Sequence, residues 1–179
     1  AENINLVTPD HYVTAVAEAV LMAKEQGLAL PVVYNCSGYA RPEVIRALRG
    51  IVDVFLTDFK YMDTVLAAKY SHAPDYPHRA KEALAEMVDI TQEPRFNEKG
   101  MMTGGVIVRH LLLPGHKQNA RDVIRYVYET YGDRVYLSLM NQFTPFDRLR
   151  DDPQYHGLCR RVTKREYDAV VDYAIELGV

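Results

Sequence analysis

Cysteine is scarce in this 179-residue chain, which contains only Cys36 and Cys159. The two residues lie far apart and form no C-x-x-C or C-x-x-x-C spacing. They are therefore too few to bind a cubane iron–sulfur cluster through thiolates. We expect two free thiols in a reducing cytoplasm. The histidines lack the spacing of a metal site, so no metal ligand is predicted.

Long apolar runs and strong charge of one sign are also missing. No run approaches the roughly 20 apolar residues that span a bilayer, and the net charge is −3. The first residues, Ala1-Glu2-Asn3, lack the basic start of a signal peptide. This composition gives no attraction to nucleic acid or to anionic membranes. We therefore expect a cytoplasmic protein.

Glycine-rich nucleotide-binding loops are absent as well, since no G-x-G-x-x-G or G-x-x-x-x-G-K-[ST] occurs after a predicted strand. What is present is a regular alternation. Five apolar, strand-like segments, at 4–8, 30–35, 51–57, 105–113 and 134–140, are separated by helical patterns. Residues 94–103 are interpreted as a loop or short hairpin, and 141–162 as a polar connection.

Several helix starts are marked by capping residues. Asp63, Asp75 and Asn119 are predicted N-caps, and Thr163-x-x-Glu166 has the pattern of a capping box. Near-continuous apolar strands between amphipathic helices predict a parallel sheet covered by helices in a single domain, residues 1–179. Periodicity leaves two architectures open, a doubly wound sheet and a whole or partial β/α barrel. Five strands are too few for a closed eight-stranded barrel.

Ligands of parallel β/α folds bind at the carboxyl ends of the strands. Asp58 and Lys60 stand two residues apart at such an end, and Arg109 lies inside an apolar strand, where an unpaired charge is costly. One interpretation is structural, with Arg109 paired to Asp58 or Glu98. The other is an anion bound between Lys60 and Arg109, for which a carboxylate suits the guanidinium group.

Five blocks in order resemble the radical S-adenosylmethionine (SAM) proteins that are homologues of pyruvate formate-lyase activating enzyme. They are I-N-L-V-T-P from residue 4, Y-N-C-S-G-Y from 34, D-F-K-Y from 58, V-R-H-L-L-L-P-G from 108 and S-L-M-N-Q-F from 138. The blocks cover most of the chain. The resemblance implies a parallel-stranded partial TIM-type (β/α)6 barrel, truncated so that about five βα units remain. It also implies a [4Fe–4S] cluster that cleaves SAM to a 5′-deoxyadenosyl radical.

The resemblance assigns SAM contacts residue by residue. Thr8 falls where relatives have a Gly-Gly-Glu motif that meets the SAM amino group, although this chain has Val-Thr-Pro there. Asn35 and Ser37 would approach the methionine and ribose parts. The remaining assignments are Asp58 and Lys60 near the ribose and carboxylate, Arg109 on the methionyl carboxylate, and Met140 and Gln142 near the adenine or substrate. No catalytic residue is assigned.

The main departure from the family is the missing C-x-x-x-C-x-x-C loop after the first barrel strand. We expect that strand and loop to belong to a longer parent protein that holds the cluster, and this chain alone to be inactive. The edge of the segment 4–8 would then be bare, which predicts a covering segment or self-association. The implied partners are SAM and a protein substrate, a glycyl radical enzyme in the case of an activase.

Two other functions fit the same residues. The first is a β/α-barrel lyase with Lys60 as a Schiff base. The second is a non-catalytic module that binds a metabolite carboxylate at the strand ends.

Overall fold

The computed structural model describes all residues 1–179 and has an α/β architecture. The strands are β1 (Ile4–Val7), β2 (Val32–Cys36), β3 (Val54–Asp58), β4 (Arg95–Phe96), β5 (Met102–Leu111) and β6 (Val135–Met140). The helices are α1 (Val13–Glu25), α2 (Pro42–Arg46), α3 (Thr64–Ser71), α4 (Tyr76–Thr91), α5 (Lys117–Tyr131) and α6 (Lys164–Leu177). Short 3-10 helices occupy Pro9–Tyr12, Gly132–Arg134, Asp147–Arg150 and Pro153–Leu158.

The strands form one mostly parallel sheet. Its parallel members lie in chain order, β1-β2-β3-β5-β6, and the short β4 pairs antiparallel with the start of β5. The prediction of an α/β fold with a parallel sheet is confirmed, as is the short hairpin within 94–103. The order contains no reversal, so the sheet lacks the switch point of a doubly wound fold. Closure into a partial barrel stays a prediction.

One face of the sheet carries the core. Side chains of alternate strand positions, including Tyr34, Phe55 and Val108, are buried against the helices. The helical side of this core includes the following residues of α1, α2, α4 and α5: Val20, Ile45, Leu84, Met87 and Val123. A smaller cluster packs α5 against α6, with Leu137 and Leu139 of β6 on the same face of the sheet.

The opposite face is only partly covered. Val7 is 67% exposed and Tyr136 is 49% exposed, and Leu56, Ile107 and Arg109 between them are half-buried. The expected sheet covered by helices is therefore covered on one face alone. A one-sided parallel sheet leaves the second face free to form a binding surface.

Two of the predicted caps are confirmed. The Asp63 carboxylate accepts hydrogen bonds from the amides of Val65 (2.7 Å) and Leu66 (3.2 Å) at the start of α3. At α6 the Thr163 hydroxyl accepts from the Glu166 amide (3.2 Å) while the Glu166 carboxylate accepts from the Thr163 amide (2.9 Å), which completes the capping box.

Of the other two predicted caps, Asn119 was wrong, whereas Asp75 stands at the predicted position without the capping hydrogen bond. Helix α5 begins at Lys117, so Asn119 lies inside its first turn and its side chain is buried. Asp75 is the N-cap residue of α4, as predicted, but its side chain makes no capping hydrogen bond and instead accepts from the Tyr39 hydroxyl at 2.7 Å. Sequence position identifies polar residues near a helix start, but it does not say which partner each side chain takes.

Strands β2, β3 and β6 start later than predicted, and β5 starts earlier, at Met102. Strand β2 begins after Pro31, which has no N–H to donate. Strand β3 begins after Asp53, whose carboxylate accepts a hydrogen bond from the Val32 amide at 2.8 Å. None of the helices has both the length and the apolar character that a bilayer crossing requires.

Candidate functional site

A pocket opens at the carboxyl ends of β3, β5 and β6. It has a volume of about 340 Å³. Its lining residues are Asp58, Lys60, Tyr61, Arg109, Leu111, Leu113, Met140, Gln142 and Phe143. The strand residues among them share one face of the sheet, because Asp58 is in register with Arg109 and Leu111 with Met140. This is the face that the helices leave uncovered.

Arg109 is held by two acceptors. Its Nε and Nη2 atoms lie 3.0 and 2.8 Å from Oδ1 of Asp58, and Nη2 also donates to Oδ1 of Asn35 at 2.8 Å. This is the structural pair that the sequence left open, with Asp58 rather than Glu98 as the acid. The Nη1 atom has no hydrogen-bond partner in the protein, so the guanidinium group keeps donors for a ligand.

Lys60 shares the same acid. Its Nζ atom lies 3.7 Å from Oδ2 of Asp58, an ion pair too long for a hydrogen bond, and the side chain is 42% exposed. The charged lining of the pocket thus has two cations and one carboxylate, which leaves one net positive charge. Such a seat favours a small anion, and the free donors fit a carboxylate.

The other wall of the pocket is apolar. It is formed by Leu111, Leu113, Met140 and Phe143, together with the buried Tyr61. The Tyr61 hydroxyl is within 3.0 Å of the Ser71 hydroxyl, and burial raises the Tyr61 pKa above its usual value. The pocket therefore suits a ligand with an anionic end and an apolar or aromatic body.

Most predicted site residues are brought together. Asp58, Lys60, Arg109, Met140 and Gln142 all line the pocket. Asn35 does not line it but contacts Arg109 directly. Their assignment as SAM contacts stays a prediction.

Ser37 and Thr8 lie outside the pocket lining. The Ser37 hydroxyl accepts from the Tyr39 amide at 3.3 Å, so it belongs to the turn after β2. Thr8 is exposed, and its backbone has the left-handed conformation, with φ 52° and ψ 50°. This conformation is unusual for a β-branched residue. These two positions are expected SAM contacts that the geometry does not bring to the cavity.

The sequence interpretation missed four lining residues. Leu111 and Leu113 follow Arg109 at intervals of two, so strand alternation could have placed them on the same face. Tyr61 follows Lys60 directly. Phe143 lies in the connection after β6, where no periodic signal exists.

The chain's own residues do not fit an iron–sulfur cluster. Cys36 is buried on the helix-covered face, where its thiol bonds to the Thr57 hydroxyl (3.5 Å) and burial raises its pKa to about 11. Cys159 is partly exposed and pairs with no other cysteine. No group of three or more His, Cys, Asp or Glu side chains is placed to hold a metal ion.

Comparison of the chain with known proteins finds relatives in sequence and in structure. No protein-family model matches it. An uncharacterized protein of Methanocaldococcus jannaschii is 27% identical over 145 residues, which cover 81% of this chain and 38% of that protein. The chain thus spans less than two fifths of the length of this curated relative.

A crystal structure of a domain of pyruvate-formate lyase-activating enzyme from Bacteroides vulgatus has a similar fold. The two superpose with a TM-score of 0.66 over 100% of this chain and 96% of that one, at 12% identity. This likeness shows the fold alone. The chain therefore has the fold of a domain of an activating enzyme of this kind.

Proposed function

We propose that this chain is the SAM-binding domain of a radical SAM enzyme related to the pyruvate formate-lyase activases. The observation that carries the proposal is the net positive seat made by Lys60 and Arg109 around Asp58, at the strand ends of a sheet with that fold. An anion between the two cations accounts for both, since the one carboxylate does not neutralise them.

The residues have distinct parts in this proposal. The Nη1 atom of Arg109 and the ammonium group of Lys60 would bind the methionyl carboxylate, and Asp58 with Asn35 would hold the guanidinium group in place. The apolar wall, with Met140 and Phe143, would receive the rest of the molecule. The electron for cleaving SAM would be supplied by a [4Fe–4S] cluster, whose ligands would have to come from residues other than those of this chain.

Binding of SAM to the purified chain tests the proposal. Calorimetry should give a measurable affinity for the wild type, and Arg109→Met should weaken it by about tenfold or more, the range for a charged hydrogen bond. Arg46→Met is a matched control, because Arg46 forms a surface ion pair with Glu86 remote from the pocket. Thermal unfolding confirms that each variant is folded.

A second ligand sharpens the test. Decarboxylated SAM lacks the group that the two cations would bind, so its affinity should be lower for the wild type and insensitive to Arg109→Met. No binding of SAM, or equal binding of the two ligands, would contradict the proposal.

The two other functions are less well supported. A Schiff-base lysine is activated by burial or by a neighbouring cation, whereas Lys60 is 42% exposed and stands beside a carboxylate. A binding module for simple carboxylates would use the same seat. It predicts that acetate or methionine binds as well as SAM, whereas the apolar wall predicts a marked preference for SAM.

A further inference from the structure

The segment from Phe59 to Asp63 joins β3 to α3 without belonging to any helix or strand. We call residues 59–63 the arm, since it carries Lys60 and Tyr61 to the pocket. A stretch of this kind ordinarily turns its backbone groups to water. Here they are bound by buried side chains from three other elements.

Tyr76, the first residue of α4, binds the start of the arm. It is 3% exposed, and its hydroxyl oxygen accepts a hydrogen bond from the Lys60 amide at 3.0 Å. The same hydroxyl lies 2.8 Å from the Ser37 carbonyl and 3.1 Å from the Asp58 carbonyl, between which its proton is shared. One phenol hydroxyl thus bonds to the residues at the ends of β2 and β3 and to the Lys60 amide.

Asn119 binds the other side of Lys60. Its side-chain amide donates to the Lys60 carbonyl at 3.0 Å, and its Oδ1 accepts from the amides of Met62 (2.9 Å) and Asp63 (3.3 Å). Asn119 is 6% exposed. Its side chain spans the arm instead of capping its own helix.

His110 of β5 binds the arm from the strand side. Its Nδ1 donates to the Phe59 carbonyl at 2.7 Å, while the Phe59 amide donates to the Arg109 carbonyl at 2.9 Å. The imidazole is 2% exposed. Arg109 and His110 are neighbours in β5. Arg109 lines the pocket, and His110, on the opposite face of the strand, binds the arm.

None of these three buried residues lines the pocket. We propose that Tyr76, His110 and Asn119 are positioning residues, which fix the backbone of the arm so that the Lys60 ammonium group is held beside Asp58 and Arg109 for ligand binding. Buried polar groups of this kind are costly to leave unpaired, so the three side chains restrict the arm to one conformation. Where the ligand is SAM, the inference rests on the proposed function.

Tyr76→Phe gives the first test, because it removes one hydroxyl and keeps the ring that stacks on Tyr39. SAM affinity should fall by about tenfold, equivalent to about 1.4 kcal/mol. Amide hydrogen exchange at Lys60 should accelerate, while β5 and α5 stay protected. Tyr131→Phe, a half-buried tyrosine at the far end of α5, should change neither.

His110 allows a rescue experiment. His110→Leu keeps an apolar volume but removes the donor, whereas His110→Asn places an amide N–H near the position of Nδ1. Positioning predicts that the leucine variant loses affinity and arm protection and that the asparagine variant retains most of both. A packing role predicts the reverse order, and that result would overturn the inference.

The outcomes separate the inference from the proposed function. If wild-type protein does not bind SAM, the proposed function fails, and exchange in the arm still decides the inference. If SAM binds the wild type and Tyr76→Phe equally well, with unchanged exchange at Lys60, the positioning role is wrong while the proposed function stands.

Discussion

Asp58 decides the electrostatics of the pocket. Its Oδ1 accepts hydrogen bonds from Arg109, and its Oδ2 lies 3.7 Å from the Nζ atom of Lys60. One carboxylate between two cations organises both without neutralising both. The guanidinium group is further oriented by Asn35, so its remaining donors have a fixed direction. This combination of order and surplus charge is what an anion-binding site requires, and it supports the proposed role of the pocket.

His110 makes stability depend on pH. Burial lowers its pKa from the ordinary 6.5, and burial likewise lowers the pKa of His116. The unfolded chain therefore binds protons more readily than the folded chain as the pH falls below about 6.5. We expect the free energy of unfolding to be level above that pH and to fall by at most about 1.4 kcal/mol per pH unit for each histidine between pH 6.5 and 5.

Urea unfolding across this pH range measures the effect. His110→Asn should flatten the curve, whereas His72→Asn, at an exposed position with a left-handed backbone that asparagine tolerates, should leave the slope as it is. A wild-type curve that stays level down to pH 5 would contradict the expectation.

Gly38 marks the closest approach of two strand ends. Its φ is +77°, and a Cβ placed on it would lie 2.2 Å from the Asp58 carbonyl oxygen. Gly38→Ala therefore combines backbone strain with a collision against main chain, and we expect a loss of about 3 kcal/mol or more in stability. Weaker ligand binding should accompany it, because Asp58 and Lys60 would shift.

Two other glycines separate the causes of that loss. Gly27 has φ +98° with open space around it, so Gly27→Ala measures strain alone, about 1 kcal/mol. Gly157 has neither a strained φ nor a close neighbour, and its alanine variant should be nearly neutral. Equal stability losses at 38 and 27 would show that the close approach is unimportant.

At the level of elements, the start of α6 is held by a single carboxylate. Glu166 accepts from the Thr163 amide, from the Gly115 amide at 2.8 Å and from Arg160 at 2.7 Å. The Arg160 guanidinium group and these amides hold the pKa of Glu166 well below its usual range. The helix start is thereby tied to the loop that follows β5 and leads away from the pocket.

Glu166→Gln should lower stability by about 2 kcal/mol at pH 7, since hydrogen bonds to a charged group are lost. The carboxylate's contribution is fully present above its unfolded pKa of about 4.5 and is lost as the pH falls below it. The difference between wild type and variant should therefore shrink below about pH 4.5. Glu176→Gln, on the exposed end of α6, is the control, and equal effects from the two substitutions would contradict this role.

Strand and helix positions followed from local pattern, whereas side-chain partners did not. The spacing of Asp58 and Lys60 placed both at one strand end, and an arginine inside an apolar strand indicated a paired or functional cation. Asn119 looked like a cap because a polar residue near a helix start looks the same whether it binds its own helix or a distant loop. Phe143 had no signal, since only the folded connection brings it to the pocket.

At the scale of the molecule, the sheet has one partly uncovered face and two open edges. Strand β1 pairs with β2 alone, and β6 pairs in parallel with β5 alone. Neither strand contains a charged residue or a proline that would discourage pairing with another chain. The half-buried face and its pocket lie between these two edges.

The edge of β1 is the one that the structure allows to be tested most cleanly. The amides of Ile4 and Thr8 donate to the carbonyls of Pro31 and Asn35, so by alternation the N–H groups of Asn5 and Val7 point away from β2. These outward groups have no partner within the sheet. We expect the chain to self-associate through them as its concentration rises.

Asn5→Pro removes one outward donor without breaking a bond to β2, because proline is tolerated on the free side of an edge strand. The variant should stay monomeric in light scattering at concentrations where the wild type and the control Asn5→Thr associate. Leu6→Pro, which removes an inward donor, should instead destabilise β1. A wild type that remains monodisperse at millimolar concentration would show that the bare edge alone does not drive association, and an Asn5→Pro variant that associates like the wild type would place the contact elsewhere, with the edge of β6 the next to test.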